Sequence, residues 1–441
     1  MTWFAFFSAF FAWFGIAPLM VVIREEMHLT KDQVGWAIIA SVSATVFARF
    51  FIGWLCDRIG PRLAYTYLLI LGSLPVAGIA FADSFESFII FRLLIGIIGA
   101  SFVITQYHTS VMFAPNVVGQ ANATSAGWGN LGGGVTQLVM PLMFSAFVIG
   151  FGFTDAEAWR ASMMVVGTVI FFTGIAYYFL TQDAPDGNFA DLREKGMLPE
   201  KKEVTGAYFN AMKDYRIWIL FIIYGSCFGI ELTVNNVAAL YFFDYFEVDM
   251  VTAGMIAACF GLMNIFARTL GGIFADNCAS LWGLRGRSYW LFIVLLAEGF
   301  ALMLFSQMSV LFLAIPTLIM FSLCTQMAEG ATYSVVPFMN KKALGAVSGI
   351  VGAGGNAGAV AAGFLFKGSM DWNDVFFTIG VVVAIASFLT FFLKFSDEQE
   401  CEEKIAFEKA HMEVLQHKAD DANAAVERSL QIISNAEKGL K

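Results

Sequence analysis

Charge is what this sequence has least of. Only 14% of its 441 residues are Asp, Glu, Lys or Arg, whereas a soluble domain carries about 25% to cover its surface. With a mean hydropathy of +0.70, the chain must face lipid over most of its exterior. Ligating residues are scarce as well. The 4 histidines form no cluster, and Cys56, Cys227, Cys259, Cys278, Cys324 and Cys401 are scattered without CxxC spacing. That pattern reads as small buried hydrophobes rather than disulfides or a metal site. Basic surface is missing too. The net charge is −9, and the tail 395–441, with eleven acidic and six basic residues, supplies −5 of it. A nucleic-acid-binding face is therefore excluded. No phosphate-binding loop and no nucleophile–base spacing is present, so nothing in the chain points to an enzyme or to a cofactor.

What the chain has is long apolar runs. They are continuous and about twenty residues long, the length of a membrane-spanning helix. A spanning barrel would instead alternate every second residue over about ten. Twelve runs are counted: 3–23, 34–55, 63–82, 87–112, 120–149, 160–181, 216–243, 250–274, 289–307, 310–337, 345–366 and 374–394. The expected fold is an all-α polytopic membrane protein with an N-terminal six-helix half over 1–181, a linker over 182–213, a C-terminal six-helix half over 214–394 and an acidic tail over 395–441. The first run lacks a basic leader and a cleavage site, so it reads as a retained span. Basic residues set the orientation. With the N-terminus cytoplasmic, Arg58, Arg62, Arg193, Lys195, Lys201, Lys202, Lys213, Arg285, Arg287, Lys341 and Lys342 fall inside, against Arg24, Lys31, Arg160 and Lys367 outside. Both termini are then cytoplasmic. The tail sets Ile405, Met412, Leu415, Val426, Leu430 and Ile433 among charges, either as an amphipathic helix or as a merely solvated one.

Arg49 stands inside the second run, eight residues before Asp57, which is about 12 Å along a helix. If Asp57 marks the membrane surface, Arg49 lies near the middle of a hydrocarbon layer roughly 30 Å thick. That placement costs at least about 2.5 kcal/mol and directs the side chain to a bundle interior or a watery path. The pattern returns in the second half. Ala48-Arg49 with Gly53 and Asp57 matches Ala267-Arg268 with Gly272 and Asp276, offset by 219, and Gly129-Asn130-Leu131-Gly132 matches Gly355-Asn356-Ala357-Gly358, offset by 226. With six spans per half the copies keep one orientation, and such parallel repeats hold substrate at their interface.

Paired arginines suit a small planar oxyanion, because each guanidinium offers two parallel N–H donors. The alternative is that they pair with intramembrane acids, of which Glu231 and Glu329 are the candidates, or with backbone carbonyls. The glycines around Asn130 and Asn356 let helices approach closely, and the two amides could contact a ligand or bond to a neighbouring helix. Tyr224, Phe228 and Glu231 share one helix face. Glu231 and Glu329 are proton-coupling candidates, since an ionisable group in a span is functional by default. His108 is either a proton relay or a satisfied interior histidine. After the second span, Asp57, Arg58 and Arg62 in Gly53-Trp54-Leu55-Cys56-Asp57-Arg58-Ile59-Gly60-Pro61-Arg62 could latch one conformation through helix ends.

Together these residues resemble the nitrate/nitrite porter family of the major facilitator superfamily. The stretches GWGNLGGG around Asn130 and GAGGNAGAV around Asn356 resemble its two signatures, joined by ARFFIGWLCDRIGPR, ARTLGGIFAD and QMAEGATYSVVPF. The resemblance implies a major facilitator fold and an anion site built from Arg49, Arg268, Asn130, Phe102, Tyr224 and Phe228. Asn356 is added by symmetry, and Phe11 and Phe14 compete for a first-helix position. It implies transport of nitrate or nitrite, by exchange or by uptake with protons. The glutamate after Tyr224-Gly225-Ser226-Cys227-Phe228 resembles the uptake branch, so proton-coupled nitrate uptake is the expectation and nitrate/nitrite antiport the alternative. An organic-acid carrier and a transporter-like sensor signalling through the tail are the other classes. The short linker suggests a bacterial inner membrane.

Overall fold

The structure, a computed structural model, describes residues 1–113, 118–197, 212–339, 344–396 and 399–401, with isolated positions of the tail. The expectation of an amphipathic tail, Lys201, Lys202, Lys341 and Lys342, and the side chain of Asp57 all lie outside the described residues.

Twelve helices are long and apolar enough to cross a membrane: α1 (Thr2–Glu26), α2 (Lys31–Cys56), α3 (Pro61–Phe81), α4 (Phe85–Met112), α5 (Thr124–Gly150), α6 (Asp155–Leu180), α7 (Tyr215–Phe246), α8 (Met250–Trp282), α9 (Leu284–Ser306), α10 (Leu311–Phe338), α11 (Val347–Lys367) and α12 (Trp372–Phe392). Several outrun their apolar stretch because polar residues continue the turn and find partners. At the end of α1, Arg24 pairs with Asp244 and Glu26 accepts from Arg160 and Trp159. Helix starts are written locally. Thr30 and Gln33 form a reciprocal cap before α2, as Thr154 and Glu157 do before α6. Helix α3 opens on Pro61, with Asp183 accepting from the Arg62 amide at 2.7 Å. The turn before it needs glycine twice over. Gly60 has φ +89°, and a Cβ there would lie 2.5 Å from the Asp183 carboxylate. Tight 3₁₀ turns interrupt α1 at Ala17–Leu19, α4 at Ile97–Ala100 and α8 at Met263–Ile265.

The signature glycines are packing residues, and they pack equivalent helix pairs in the two halves. In the first half, Cβ atoms at Gly129 and Gly132 would meet the Phe6 ring at 1.7 Å and the Phe7 carbonyl at 2.2 Å, joining α5 to α1. In the second half, Cβ atoms at Gly354 and Gly358 would meet the Phe221 and Gly225 carbonyls, each at 2.2 Å, joining α11 to α7. Backbone cannot yield as a side-chain tip can. Gly358→Ala is therefore expected to cost about 1–3 kcal/mol, seen as a lower unfolding temperature of the purified protein. Gly272→Ala, where nothing lies within 4 Å of the added Cβ, should leave that temperature unchanged.

The halves meet at one end of the bundle. Arg24 on α1 makes two bonds of 2.6 and 2.7 Å to Asp244 on α7, and Lys367 at the end of α11 pairs with Asp32 on α2 at 3.3 Å. Lys31 also donates to the Met370 carbonyl. Deeper in, Gly134 and Gly261 bring α5 against α8, and Gly363 lies against Ile39. Among the described residues, every hydrogen bond or ion pair between the halves lies at the level of Arg49 or toward this closed end. The opposite end carries residues 182–197 of the linker and both sides of the Gly60 turn.

Candidate anion-binding site

Arg49 and Arg268 are both buried, at 4% and 8% exposure, and the repeat does bring them together. The ring of Phe228, on α7, lies between them. The Arg49 guanidinium carbon is 5.6 Å and that of Arg268 5.7 Å from its centroid. Cation–π attraction to one aromatic ring offsets part of their mutual repulsion. Phe102 on α4 supports Arg49 from another side at 5.5 Å. Tyr224 stacks on Phe228 at 5.0 Å, one helical turn away, and its hydroxyl accepts from Arg268 at 3.4 Å. Five of the residues expected from sequence thus form one cluster: Arg49, Phe102, Tyr224, Phe228 and Arg268.

The two arginines are not equivalent. Arg49 donates Nη1–H to the Gly352 carbonyl on α11 at 2.6 Å, leaving Nε and Nη2 without partners. Those two atoms form one edge of the guanidinium, the edge that meets a planar oxyanion with two parallel bonds. Arg268 instead gives Nη2 to the Glu329 carboxylate, and its buried Nη1 is unpartnered. Pairing with an intramembrane acid therefore holds for Arg268, while Arg49 has no carboxylate among its described contacts. Glu329 neighbours Glu231, whose Oε1 accepts from Asn264 at 2.7 Å, while Glu231 Oε2 and Glu329 Oε1 have no hydrogen-bond partner. Asn264 belongs to the 3₁₀ turn of α8, so that interruption aims an amide at the acid pair.

Asn130 and Asn356 are fully buried, and neither amide has a hydrogen-bond partner at nitrogen or oxygen. A buried unpaired amide is costly, and helix-to-helix bonding, one of the two sequence readings, is not what these residues do here. Of the first helix, the ring set against Phe102 is Phe6, at 5.8 Å; Phe14 packs instead beside Gly133. Tyr333, inside the QMAEGATYSVVPF stretch, also belongs to the cluster. Its ring lies 5.0 Å from Tyr224 and 6.3 Å from Phe102, and its hydroxyl is unpartnered. Four residues separate it from Glu329, which is the signal that could have found it.

The other expectations separate from this cluster. His108 is satisfied on both nitrogens, by the Tyr177 hydroxyl at 2.5 Å and the Gln182 carbonyl at 2.7 Å. Arg58 lies over Trp54, and its carbonyl accepts from Arg193. Arg62 lies over Tyr178 at the end of α6. Arg62 so joins α3 to α6, while the contacts of Arg58 lie on its own helix and in the linker. Among the described residues no two cysteines form a disulfide and no metal-ligand group occurs. Within the described spans, two buried charges stand outside the sequence-based candidates, Arg92 on α4 and Glu298 on α9, at 1% and 0% exposure. Each interrupts an apolar run, FIIFRLLIG or FIVLLAEGF.

The family model described as Major Facilitator Superfamily matches residues 2–339 of the chain. The chain belongs to that superfamily. Within the superfamily, its relatives are the nitrate and nitrite porters. High affinity nitrate transporter 2.5 of Arabidopsis thaliana is 43% identical over 387 residues, 88% of this chain and 77% of that protein. Nitrate transporter 2.1 of Chlamydomonas reinhardtii is 36% identical, covering 90% and 74%. The nitrate/nitrite transporter NrtP of Nostoc punctiforme is 29% identical, covering 89% and 91%. Among solved structures, a bacterial homolog of the human lysosomal transporter Spinster, inward-facing and unoccupied, superposes with TM-score 0.70 at 15% identity, covering 91% and 96%. The nucleoside transporter NupG superposes at 0.63. At such identity these two speak for the superfamily fold alone. The superfamily is one of transporters, not enzymes, and the chain is an integral membrane protein.

Proposed function

We propose that this protein carries nitrate, and nitrite with it, across the membrane by alternating access, and that uptake is coupled to protons. The observation that carries the reading is the open Nε/Nη2 edge of Arg49 beside the unpartnered Nη1 of Arg268, with Phe228 between them. Nitrate is planar, bears one negative charge and presents oxygen pairs that fit such an edge. The relatives named for nitrate support the same substrate. Tyr333 on α10 brings an unused hydroxyl to that cluster, and Asn130 on α5 and Asn356 on α11 keep unused buried amides for the anion. With both termini cytoplasmic, the closed end is the outer one.

Coupling follows from Glu329. An anion that takes Arg268 displaces the carboxylate, and a carboxylate left without its cation in a dry site is stabilised by binding a proton. Glu231 stands beside it to share the proton. Net entry of an anion against a negative interior costs about 2.3 kcal/mol per charge per 100 mV, which co-transported protons offset.

Uptake into proteoliposomes with pH clamped on each side tests this. An inward proton gradient should drive nitrate accumulation without internal nitrite. A roughly tenfold excess of acetate should leave nitrate uptake largely intact, because its methyl group fills the place of nitrate's third oxygen with an apolar group. Uptake that needs internal nitrite and moves no protons would make exchange the mode instead; equal competition by acetate would point to an organic-acid carrier.

A further inference from the structure

Arg92 lies seven residues into α4 from Phe85, inside the closed end. Its Nη2–H donates to Oδ1 of Asn236 on α7 at 2.9 Å, and its Nε–H to the Ala37 carbonyl on α2 at 3.4 Å. The Ser41 hydroxyl, whose proton goes mainly to the Ile38 carbonyl at 2.7 Å, lies 3.3 Å from the same Asn236 oxygen. Nη1 has no partner, and Arg92 belongs to none of the ion pairs among the described residues. Buried charges ordinarily carry a counter-charge, because desolvation is otherwise uncompensated. This one has only neutral acceptors.

Its position follows the same path as the central cluster. Phe102 comes ten residues later on α4. At about 100° per residue the two side chains would sit about 80° apart around an unbroken helix. The four residues Ile97–Ala100 form a 3₁₀ turn, at about 120° each, and that removes the offset. Arg92 and Phe102 therefore share the face turned to the second half. Ala37 precedes Arg49 by twelve residues, and Asn236 follows Tyr224 by twelve, about 18 Å in both cases. Arg92 stands in line with the central arginines, outward of them.

We propose that Arg92, with Ser41 beside it, is an outer docking site for a small monoanion, taking the anion in place of Asn236 when the halves part at the closed end. Asn236 leaves with α7. Arg92 and Ser41 stay together, because α2 and α4 are locked by the 2.5 Å bond from Thr45 to the Gly96 carbonyl and by the approach of Gly96 to the Ser41 carbonyl, 2.7 Å from a Cβ placed there. The freed guanidinium then faces the entrance with no carboxylate to neutralise it, and the docked anion moves on to the free edge of Arg49. This rests on the transport reading above.

Initial rates of uptake from the outer face separate docking from a purely structural role. If Arg92 were only a strut of the outer closure, Arg92→Gln would populate the outward-open form and lower KM for external nitrate, since a binding-competent state would be more abundant. As a docking site, its loss should raise that KM about tenfold, the worth of one charge-assisted bond, with Vmax within about twofold of the parent. Arg92→Lys should stay within about threefold of the parental KM. In Arg92→Cys, modification by an aminoethyl thiosulfonate should restore the low KM, and a sulfonatoethyl reagent should not, with the treated parent as control. An unchanged or lowered KM in Arg92→Gln, or equal rescue by both reagents, overturns the docking site. If Arg92→Gln does not fold, the Lys and Cys variants decide alone. A parent that carries no nitrate refutes the nitrate reading and not this one, and the same comparison is then made with the anion it does carry.

Discussion

Arg49→Lys is expected to lower nitrate uptake at low substrate concentration by about a hundredfold, in protein that still elutes as a folded species. Arg49 meets two demands at once. One nitrogen holds the Gly352 carbonyl across the inter-half boundary at 2.6 Å, and the remaining edge is free. Lysine keeps the charge but presents a single ammonium, so it can serve the carbonyl or the anion and cannot clamp a planar anion along two parallel bonds. It also loses the flat face that lies over Phe102 and Phe228. Charge-assisted bonds contribute about 1.5–3 kcal/mol each, and each 1.4 kcal/mol is a factor of about ten; the upper part of that range gives the hundredfold figure. Gly352 sharpens the case. A Cβ there would lie 3.4 Å from both Arg49 Nη1 and the Tyr333 hydroxyl, in direct contact with both, so any larger side chain at 352 would press on the arginine. Uptake by Arg49→Lys within threefold of the parent would mean that charge alone recognises the substrate.

Much of this site could be read in the sequence because it violates the sequence's own background. In a chain with so little charge, Arg49 stands out in its run, and the repeat identifies Arg268 as its partner. Helix number and order follow equally well, since twenty continuous apolar residues have few other folds to adopt. Arg92 and Glu298 break their runs just as visibly, but the repeat offers them no counterpart: the positions 219 and 226 residues after Arg92 are both leucines, Leu311 and Leu318. Symmetry finds what was duplicated and passes over what is particular to one half. Aromatic contacts were legible only in part. With 16% aromatic residues, nothing in the order of the chain separates Phe6, which meets Phe102, from Phe11 or Phe14. That choice is made by the Gly129 and Gly132 approach of α5 to α1, a tertiary fact. The 3₁₀ turns are silent for the same reason. Only that in α1 contains a proline, Pro18, while those in α4 and α8 run through IIGA and MNI, which a regular helix would also accept.

Glu329→Gln should separate transport from its driving force. In the parent, an inward proton gradient is expected to raise nitrate accumulation severalfold; in the variant the ratio with and without the gradient should fall to about one, while exchange of labelled for unlabelled nitrate persists. The substitution keeps the shape and an acceptor oxygen for Arg268, so the arginine is not left unsatisfied, as Glu329→Ala would leave it at a cost of about 3–5 kcal/mol. What it removes is the negative charge that competes with the anion for Arg268 and the oxygen that can take a proton. Nitrate affinity should therefore hold or improve even as accumulation is lost, a combination that a merely damaged protein would not give. Glu231 is the control for this assignment. It accepts from Asn264 and faces Glu329 without touching Arg268 in any described bond, so Glu231→Gln should weaken the dependence on the gradient and leave part of it. A Glu329→Gln protein that still accumulates nitrate on a proton gradient as the parent does would remove this carboxyl from the coupling step and return the arginines to being reset by a counter-anion.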